Sequence, residues 1–368
     1  MLHPVVTELR QISEKARVFV SMPYIEGLTP RIFGDLERVE AVDCGECVPR
    51  RHGIFRMDEA PLSPLDHGGL YGDAVFEGIL VINGRIFTLK EHLERLYVSA
   101  ERMMIRIPYD MATLARFILR TVQAVGFSQE EKGYLRPVLT RGFGNLGIHP
   151  SKCVAPTFYC IASTIRLYPP EKYEVGIEIS IARNARRATR QFVDPNIKSN
   201  NYLNNIFALI ETKDQERLET LMLTPGGAVA EASADNIFVI ERLPGWLEDP
   251  SQVTLKTPSP EYCLVGITRN IVMMEARRAG YRVEEVPDML PIDMVGAERE
   301  VFLTGTGAGL MPVIGVKGVP VGDGLVGPIT RNLLEALQRN MADPRFGLAL
   351  NATDEDLEAY LARPSPIV

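Results

Sequence analysis

No apolar run in this chain reaches the roughly 18 residues needed to cross a bilayer, so no membrane-spanning helix is expected. The N-terminus lacks a basic-then-apolar pattern. Met1 to Arg10 carries Glu8, so no secretory signal is expected and the chain is placed in the cytoplasm. Positive charge is in short supply, with 40 Lys and Arg against 47 Asp and Glu and a net charge of -7. Nucleic acids and anionic lipid surfaces favour a basic face, so neither is expected as a partner. The local exception is Arg183 to Arg190, with four arginines, read as a solvated loop in preference to a phosphate-binding patch. Cysteine is sparse too. Five in a chain of 368 is an odd count that argues against a disulfide framework. Cys44-Gly45-Glu46-Cys47 is a lone C-x-x-C. Zinc would want a second pair, and Cys153, Cys160 and Cys263 do not supply one at matching spacing, so no metal site is expected. Internal repeats and low-complexity tracts are also missing.

What is present is length and apolar content. With 368 residues, 46% of them hydrophobic, the chain exceeds one ordinary core, and two domains with appendages are expected. The expected boundaries are an N-terminal extension over 1–50, a small α+β domain over 51–168, a larger domain over 169–342 and a C-terminal tail over 343–368. The first 45 residues or so read as irregular, with a short helix from Val5 to Val18 and loop and strand beyond it around Pro23 and Pro30, and the proline-punctuated tail reads as peripheral. In the small domain, Ala74 to Val81 is an apolar, β-branched strand, Asn83-Gly84 a tight turn and Arg85 to Thr88 the returning strand. Helices are expected from Lys90 to Met104 and from Met111 to Val125, the second capped by Gly126. Strands follow at Tyr134 to Thr140 and Thr157 to Thr164. This β-β-α-α-β-β order points to an α+β unit and away from a Rossmann alternation. Pro169-Pro170 marks a linker. Beyond it, strands are expected at Gly176–Ala182, Thr220–Leu223, Asn236–Ile240 and Val301–Thr304. Helices are expected at Asn200–Glu211, Thr268–Ala279 (with Thr268 as N-cap) and Pro328–Met341.

Several residues are placed where chemistry needs them. Lys198 precedes a helix, which alone is an ordinary solvated position. Apolar Ile197 before it, small polar residues after it and Tyr202 one helical turn on mark it as a reactive amine. Such an amine must spend time unprotonated, and a buried or charge-flanked setting favours that state. Glu231, among small residues at the entry to an apolar strand, is either a surface charge or a buried partner, and the pattern alone leaves both open. Gly266-Ile267-Thr268-Arg269 opens a helix, where backbone N–H groups and the Thr268 hydroxyl suit an anion such as phosphate, a plain cap being the alternative. Gly305-Thr306-Gly307-Ala308-Gly309 imitates a dinucleotide loop, but Met311 to Ile314 reads as a strand, with no helix to receive a pyrophosphate. Arg95 reads by default as a surface ion pair with Glu91 at i−4. Arg136 alternates with Tyr134 on a core strand, an expensive place for an unpaired arginine, and is a candidate anion binder.

Taken in order, these pieces carry a resemblance. Leu70-Tyr71-Gly72-Asp73-Ala74-Val75-Phe76-Glu77-Gly78 is followed by Glu91-His92-Leu93-Glu94-Arg95-Leu96 and Tyr134-Leu135-Arg136-Pro137. Then come Ile197-Lys198-Ser199 with Tyr202, Glu231 with Asn236, Gly266 to Arg269, and Gly305-Thr306. Over residues 58 to 342 the chain resembles the class IV (fold type IV) pyridoxal-phosphate enzymes, most of all the branched-chain amino-acid aminotransferases. The resemblance implies an α+β fold of two α/β domains with pyridoxal 5'-phosphate at their interface, the larger one built on a barrel-like sheet. It implies Lys198 as the Schiff-base lysine, Tyr202 on the cofactor's 3'-oxygen and Glu231 on its ring nitrogen. Arg95, Gly266, Ile267, Thr268 and Thr306 would lie around its phosphate, with Leu264 packed on the ring. The turn Thr306-Gly307-Ala308 would take the substrate α-carboxylate. Tyr71, Phe76, Tyr134 and Arg136 would line the substrate side. The substrates implied are branched-chain L-amino acids and 2-oxoglutarate, exchanged by a ping-pong route. The assembly implied is a homodimer or higher homo-oligomer whose loop around Leu146 and Ile148 closes the neighbour's site. D-amino-acid transaminases, similar in Leu96-Tyr97-Val98-Ser99-Ala100-Glu101, usually lack counterparts of Tyr202 and Arg136. Aminodeoxychorismate lyases share the fold and the lysine. Family members commonly carry a glutamate after the glycine-threonine turn, where this chain has Gly309-Leu310.

Overall fold

Asn83 and Gly84 turn the chain with φ of 51° and 66°, the mirror-image turn whose twist matches antiparallel strands. That hairpin belongs to the first of two units in the computed structural model, which describes residues 9, 13–23, 50–164, 168–213 and 218–367. Half of the helix expected from Val5 to Val18, and the Cys44–Cys47 pair, fall outside the described residues; of the rest, Ser13 to Lys15 are helical and Arg17 and Val18 already belong to a strand. The first unit draws on Met1–Ile165, Ile197–Asn201 and Pro344–Ser365. The second draws on Arg166–Asn196, Tyr202–Asp343 and Pro366–Val368.

The first unit is built on strands β1 (Arg17–Pro23), β2 (Arg50–Arg56), β3 (Ala74–Phe76), β4 (Ile79–Ile82), β5 (Arg85–Phe87), β6 (Gly133–Thr140), β7 (Thr157–Thr164) and β17 (Gly347–Ala349). They form a sheet in the order β17-β5-β4-β6-β7-β1-β2, with β3 also on β6, and every pairing is antiparallel. A single-turn helix α1 (His67–Tyr71), capped by the Asp66 carboxylate, leads into β3. Helices α2 (Leu89–Arg102) and α3 (Met111–Val125) cover the sheet. Leu93, Leu96 and Ala100 recur at helical spacing on α2 and are buried together, as their periodicity predicts. Gly126 ends α3 at φ 69°.

The single strand expected from Ala74 to Val81 is broken. β3 stops at Phe76 and β4 starts at Ile79 because Glu77 turns inward to buried partners and Gly78 admits no side chain. A Cβ on Gly78 would sit 1.9 Å from the Tyr134 hydroxyl. In the N-terminal segment, where loop and strand were expected beyond the helix, the strand is β1, which begins at Arg17 and buries Val18, Phe19, Val20 and Met22. The tail expected to be peripheral is not so. It supplies β17 and helix α8 (Asp354–Ala362), with Leu357 fully buried and Tyr360 nearly so in the core of this unit. Thr353 and Asp356 form a capping box at the start of α8.

The second unit holds β8 (Ile177–Arg186), β9 (Glu219–Leu223), β10 (Val229–Ala232), β11 (Asn236–Arg242), β12 (Val253–Pro258), β13 (Arg282–Val286), β14 (Arg299–Gly305), β15 (Gly309–Val316) and β16 (Val319–Pro320). Their order is β10-β9-β8-β15-β14-β11-β12-β13, with β16 on β15. Parallel pairs (β8 with β9 and β15, β12 with β13) are mixed with antiparallel ones. A single turn of helix, α4 (Lys172–Val175), precedes β8. Helices α5 (Leu203–Thr212), α6 (Ile267–Arg278) and α7 (Pro328–Ala342) lie within a residue or so of three expected spans, except that α5 starts three residues late. The delay has a cause: Ile197–Asn201 belongs to the first unit, and helix begins only when the chain re-enters the second. The N-cap of α6 is Gly266, not Thr268, which lies inside the first turn. Gly305 to Gly309 is a hairpin turn between β14 and β15, so no dinucleotide loop forms there. No helix among the described residues is long and apolar enough to cross a membrane.

Because Leu357 is fully buried in the first unit's core, Leu357→Ala is expected to cost about 2–5 kcal/mol. Urea unfolding followed by circular dichroism measures this. A midpoint equal to the parent's would show that the C-terminal segment does not share the core.

Candidate functional site

The first unit places Lys198 by backbone bonding. Its carbonyl accepts from the Phe76 N–H at 2.9 Å, its own N–H donates to Ser99 Oγ at 3.3 Å, and the Asn200 N–H donates to the Ala74 carbonyl at 2.9 Å. Ser199 bridges Val75. Ile197–Asn201 thus lies along β3 like a short extra strand, with the lysine on the side of Phe76, and Lys198 Nζ is 4.7 Å from the Phe76 ring centroid. The Arg136 guanidinium lies 4.5 Å from the same centroid and donates to the Tyr134 hydroxyl at 3.2 Å. Buried Arg136 Nε has no hydrogen-bond partner. One aromatic ring therefore carries two cations, an arrangement that attracts a ligand of opposite charge. The Tyr71 hydroxyl donates to the Leu146 carbonyl at 2.5 Å, and Leu146 and Ile148 are exposed.

Beside Phe76, the Glu77 carboxylate is wholly buried. Arg95 donates to it through Nε and Nη2, both at 2.8 Å, and His92 Nδ1 lies 2.7 Å away. Burial pushes the Glu77 carboxyl up, but Arg95 and His92 together more than offset that and hold it at about 2. Burial also pushes the His92 imidazole down, further than Glu77 pulls it up, which favours the neutral ring. The default pairing of Arg95 with Glu91 is not formed, since Glu91 accepts from Ser365. Glu77 and His92 were legible as a charge and an imidazole inside apolar patterns, but nothing in the spacing marked them as partners of Arg95.

In the second unit Glu231 resolves to the buried alternative, 6% exposed on β10. Its Oε2 accepts from the Leu264 N–H at 3.1 Å and from Asn236 Nδ2 at 3.3 Å, and its Oε1 accepts from Arg187 Nε. Asn236 also donates to the Leu264 carbonyl at 2.8 Å, which ties the two elements together. Asn196 braces the approach to α6 by accepting from the Val265 N–H at 3.1 Å and donating to the Pro260 carbonyl at 2.5 Å. The stretch read as a solvated loop is so only in part: Arg183 and Arg190 are exposed, but β8 runs to Arg186 and Arg187 is half-buried against Glu231.

The start of α6 fits a phosphate. Gly266 caps it with extended backbone and no side-chain cap, the first turn carries no acid, and Ile267 and Thr268 are buried. A Cβ at Gly266 would come within 2.1 Å of Asn236 Oδ1, so only glycine fits there. The turn Thr306-Gly307-Ala308 is braced by the Tyr173 hydroxyl on the Ala308 carbonyl at 2.8 Å. The second unit thus offers a buried acid and a bare helix start, and these fit a phosphorylated, nitrogen-containing ring, the kind of cofactor the sequence resemblance implies. The first unit offers an amine and a guanidinium on one aromatic ring, which fit an anionic substrate. Among the described residues, no group of three or more His, Cys, Asp and Glu is placed to hold a metal ion.

Comparison with known proteins gives the same direction. A family model described as amino-transferase class IV matches residues 74–316. A Methanocaldococcus jannaschii protein, named provisionally as a branched-chain-amino-acid aminotransferase, is 38% identical over 277 residues, 75% of this chain and 90% of its own. A D-alanine aminotransferase of Listeria innocua is 31% identical over 294 residues, 76% of this chain and 91% of its own. The crystal structure of the T.th. branched-chain amino acid aminotransferase with pyridoxamine 5'-phosphate is similar at a TM-score of 0.72 and 28% identity, covering 81% of this chain and 96% of that one.

The Glu77 cluster sets a pH signature. Its carboxyl falls from an ordinary 4.5 to about 2 on folding, so its contribution is fully present above pH 4.5 and is lost as pH drops toward 2. Glu77→Gln leaves Arg95 without its counterion and is expected to cost about 3–5 kcal/mol at neutral pH. Unfolding free energies measured from pH 7 down should show the gap between variant and parent narrowing below pH 4.5. A constant gap across that range would contradict the ion-pair assignment.

Proposed function

The chain belongs to the class IV aminotransferases, a family of pyridoxal-phosphate enzymes, and from that premise we propose that it moves the amino group of branched-chain L-amino acids (leucine, isoleucine, valine) to 2-oxoglutarate in two half-reactions through one site. The observation that carries this reading is the Phe76 ring with Lys198 Nζ and the Arg136 guanidinium both on it. An amino-acid site serving both substrates must take an apolar side chain in one half-reaction and a carboxylate in the other. Phe76, Tyr134 and Tyr71 offer the apolar walls, and Arg136 offers the cation. Tyr202 and Arg136, both present, favour this over the D-amino-acid reading.

Bound pyridoxal phosphate supplies the electron sink that lets a substrate Cα release its proton. Lys198 Nζ takes that proton and returns it, which a lysine does only from its free-amine state. Arg95, held by Glu77, would bind phosphate, as would the Ile267 and Thr268 amides at the start of α6 and Thr306. Glu231 would hold the ring-nitrogen proton, the Tyr202 hydroxyl would donate to the 3'-oxygen, and Leu264 would pack on the ring. The backbone of Thr306-Gly307-Ala308 receives the substrate α-carboxylate.

The proposed assembly is a homodimer. Helix α5 supports it, because it is inverted: Asn205, Ala208 and Thr212 are buried while Leu203, Ile206, Phe207 and Ile210 are 49–62% exposed. Its one acid, Glu211, is spent on the Arg183, Asn184 and Ala185 N–H groups, so the exposed stripe bears no charge. A second identical stripe satisfies it.

Lys198→Ala is expected to abolish keto-acid formation from L-leucine. Arg136→Met should raise KM for 2-oxoglutarate by roughly tenfold or more while leaving KM for leucine within a few-fold, as loss of a buried charge contact predicts. Steady-state assays with both substrates, and a visible spectrum before and after L-leucine, L-glutamate and D-alanine, decide it. Conversion of the bound cofactor by D-alanine alone would sink the L-branched-chain reading. For the assembly, sedimentation should show a dimer that Phe207→Glu splits. A variant that stays dimeric removes α5 from the interface.

A further inference from the structure

Arg187 has no part in the reading above, yet its placement is specific. It follows the end of β8, where its N–H donates to the Leu223 carbonyl at 2.9 Å, and its side chain is only 14% exposed. The guanidinium Nε donates to Glu231 Oε1. The opposite oxygen of Glu231 is occupied by the Leu264 N–H and the Asn236 amide. Both carboxylate oxygens are therefore held, and of these three partners Arg187 alone brings a charge. The guanidinium is also within electrostatic reach of Tyr202, the proposed partner of the cofactor's 3'-oxygen. A half-buried arginine thus pairs with one of the side chains that would hold the ring from within the second unit and acts electrostatically on another.

A carboxylate taken out of water needs a cation or it takes up a proton or turns back toward solvent. A carboxylate that must hold a ring-nitrogen proton can do neither. We propose that Arg187 is a positioning residue for the cofactor ring: it neutralises and orients Glu231, and through Glu231 it determines whether the ring nitrogen keeps its proton. The proposal rests on the assignment of Glu231 to the ring nitrogen. It differs from a purely structural role for the pair, in which Arg187 merely ties β8 to β10. In that case the cofactor's spectrum would not respond to the residue.

The test uses the full chain loaded with pyridoxal 5'-phosphate and reads cofactor dissociation by equilibrium dialysis and the visible band of the bound cofactor. Arg187→Gln should weaken cofactor binding by roughly tenfold or more, as truncation of a buried charge pair does, and should displace the band. Arg187→Lys, which keeps the charge, should recover most of both. Glu231→Gln should show the larger defect, and Arg187→Gln in that background should add nothing, because the arginine acts through the acid. If Glu231→Gln leaves affinity and spectrum at parent values, the ring-nitrogen assignment itself fails. If Glu231→Gln is defective while Arg187→Gln behaves as the parent, or if the two losses simply add, the assignment stands and the role of Arg187 is overturned. Should Arg187→Gln fail to fold by circular dichroism, the Lys variant and the neutral double variant carry the test. In that case a Lys variant with the full loss of affinity and displaced band, or a double variant weaker than Glu231→Gln alone, would overturn the proposal.

Discussion

Four residues of backbone, Ala74 to Glu77, organise the cluster around Lys198 in the first unit. Ala74 and Phe76 hold the Lys198 segment by two main-chain hydrogen bonds, Val75 bridges Ser199, the Phe76 ring underlies Lys198 Nζ and Arg136, and Glu77 fixes Arg95 and His92. A strand alternates its faces, so successive residues can serve opposite tasks without competing for space. Val75 meets the core while Phe76 presents its ring to Lys198 Nζ. The break at Glu77-Gly78 is the consequence of loading so much onto one short strand. A continuous ladder would have turned Glu77 away from Arg95, and any side chain at position 78 would have displaced Tyr134.

The second unit solves a different problem, how to keep a carboxylate out of water. Glu231 accepts from a main-chain amide, an asparagine and an arginine that come from three separate stretches of sequence. Asn236 bonds both the acid and the Leu264 carbonyl, and its side chain also excludes a Cβ at Gly266. The acid and the bare start of α6 are thereby held in a fixed relation by one residue. That is the order of precision that positioning of a cofactor requires, since catalytic groups lose their effect when displaced by about 1 Å.

Much of the fold was legible because it rests on local signals. The turn at Asn83-Gly84, the apolar stripe of α2, the αL cap at Gly126 and the span of β7 each depend on neighbours in sequence, and each is found. The fold class and the pyridoxal-phosphate assignment, which came from ordered motifs, stand with the family match. The misses share a cause. β17 and α8 carry weak intrinsic signals and are ordered by partners more than a hundred residues away. The Lys198 segment lacks helix because it pairs with β3, a contact that no local pattern encodes. Thr268 was read as a cap because it is a good capping residue, yet glycine at 266 takes that place because Asn236 leaves room for nothing larger.

The three arginines show why the site was harder to read than the fold. Arg95 was assigned by default to a neighbour one helical turn away and Arg187 to solvent, and each default is sound for an arginine with no known partner. Both are instead half-buried against acids 18 and 44 residues distant. Only Arg136 announced itself, because an arginine within an apolar strand has no inexpensive way to stay unpaired. Arg95 and Arg187 sit in polar stretches of sequence, where a buried role and an exposed one look alike. The difference lies with the acids. Glu77 and Glu231 are the residues flanked by apolar or small neighbours, and a carboxylate held in such surroundings requires a cation from elsewhere in the chain. Reading from the buried acid toward its missing counterion, rather than from each arginine toward its nearest acid, leads to Arg95 and Arg187.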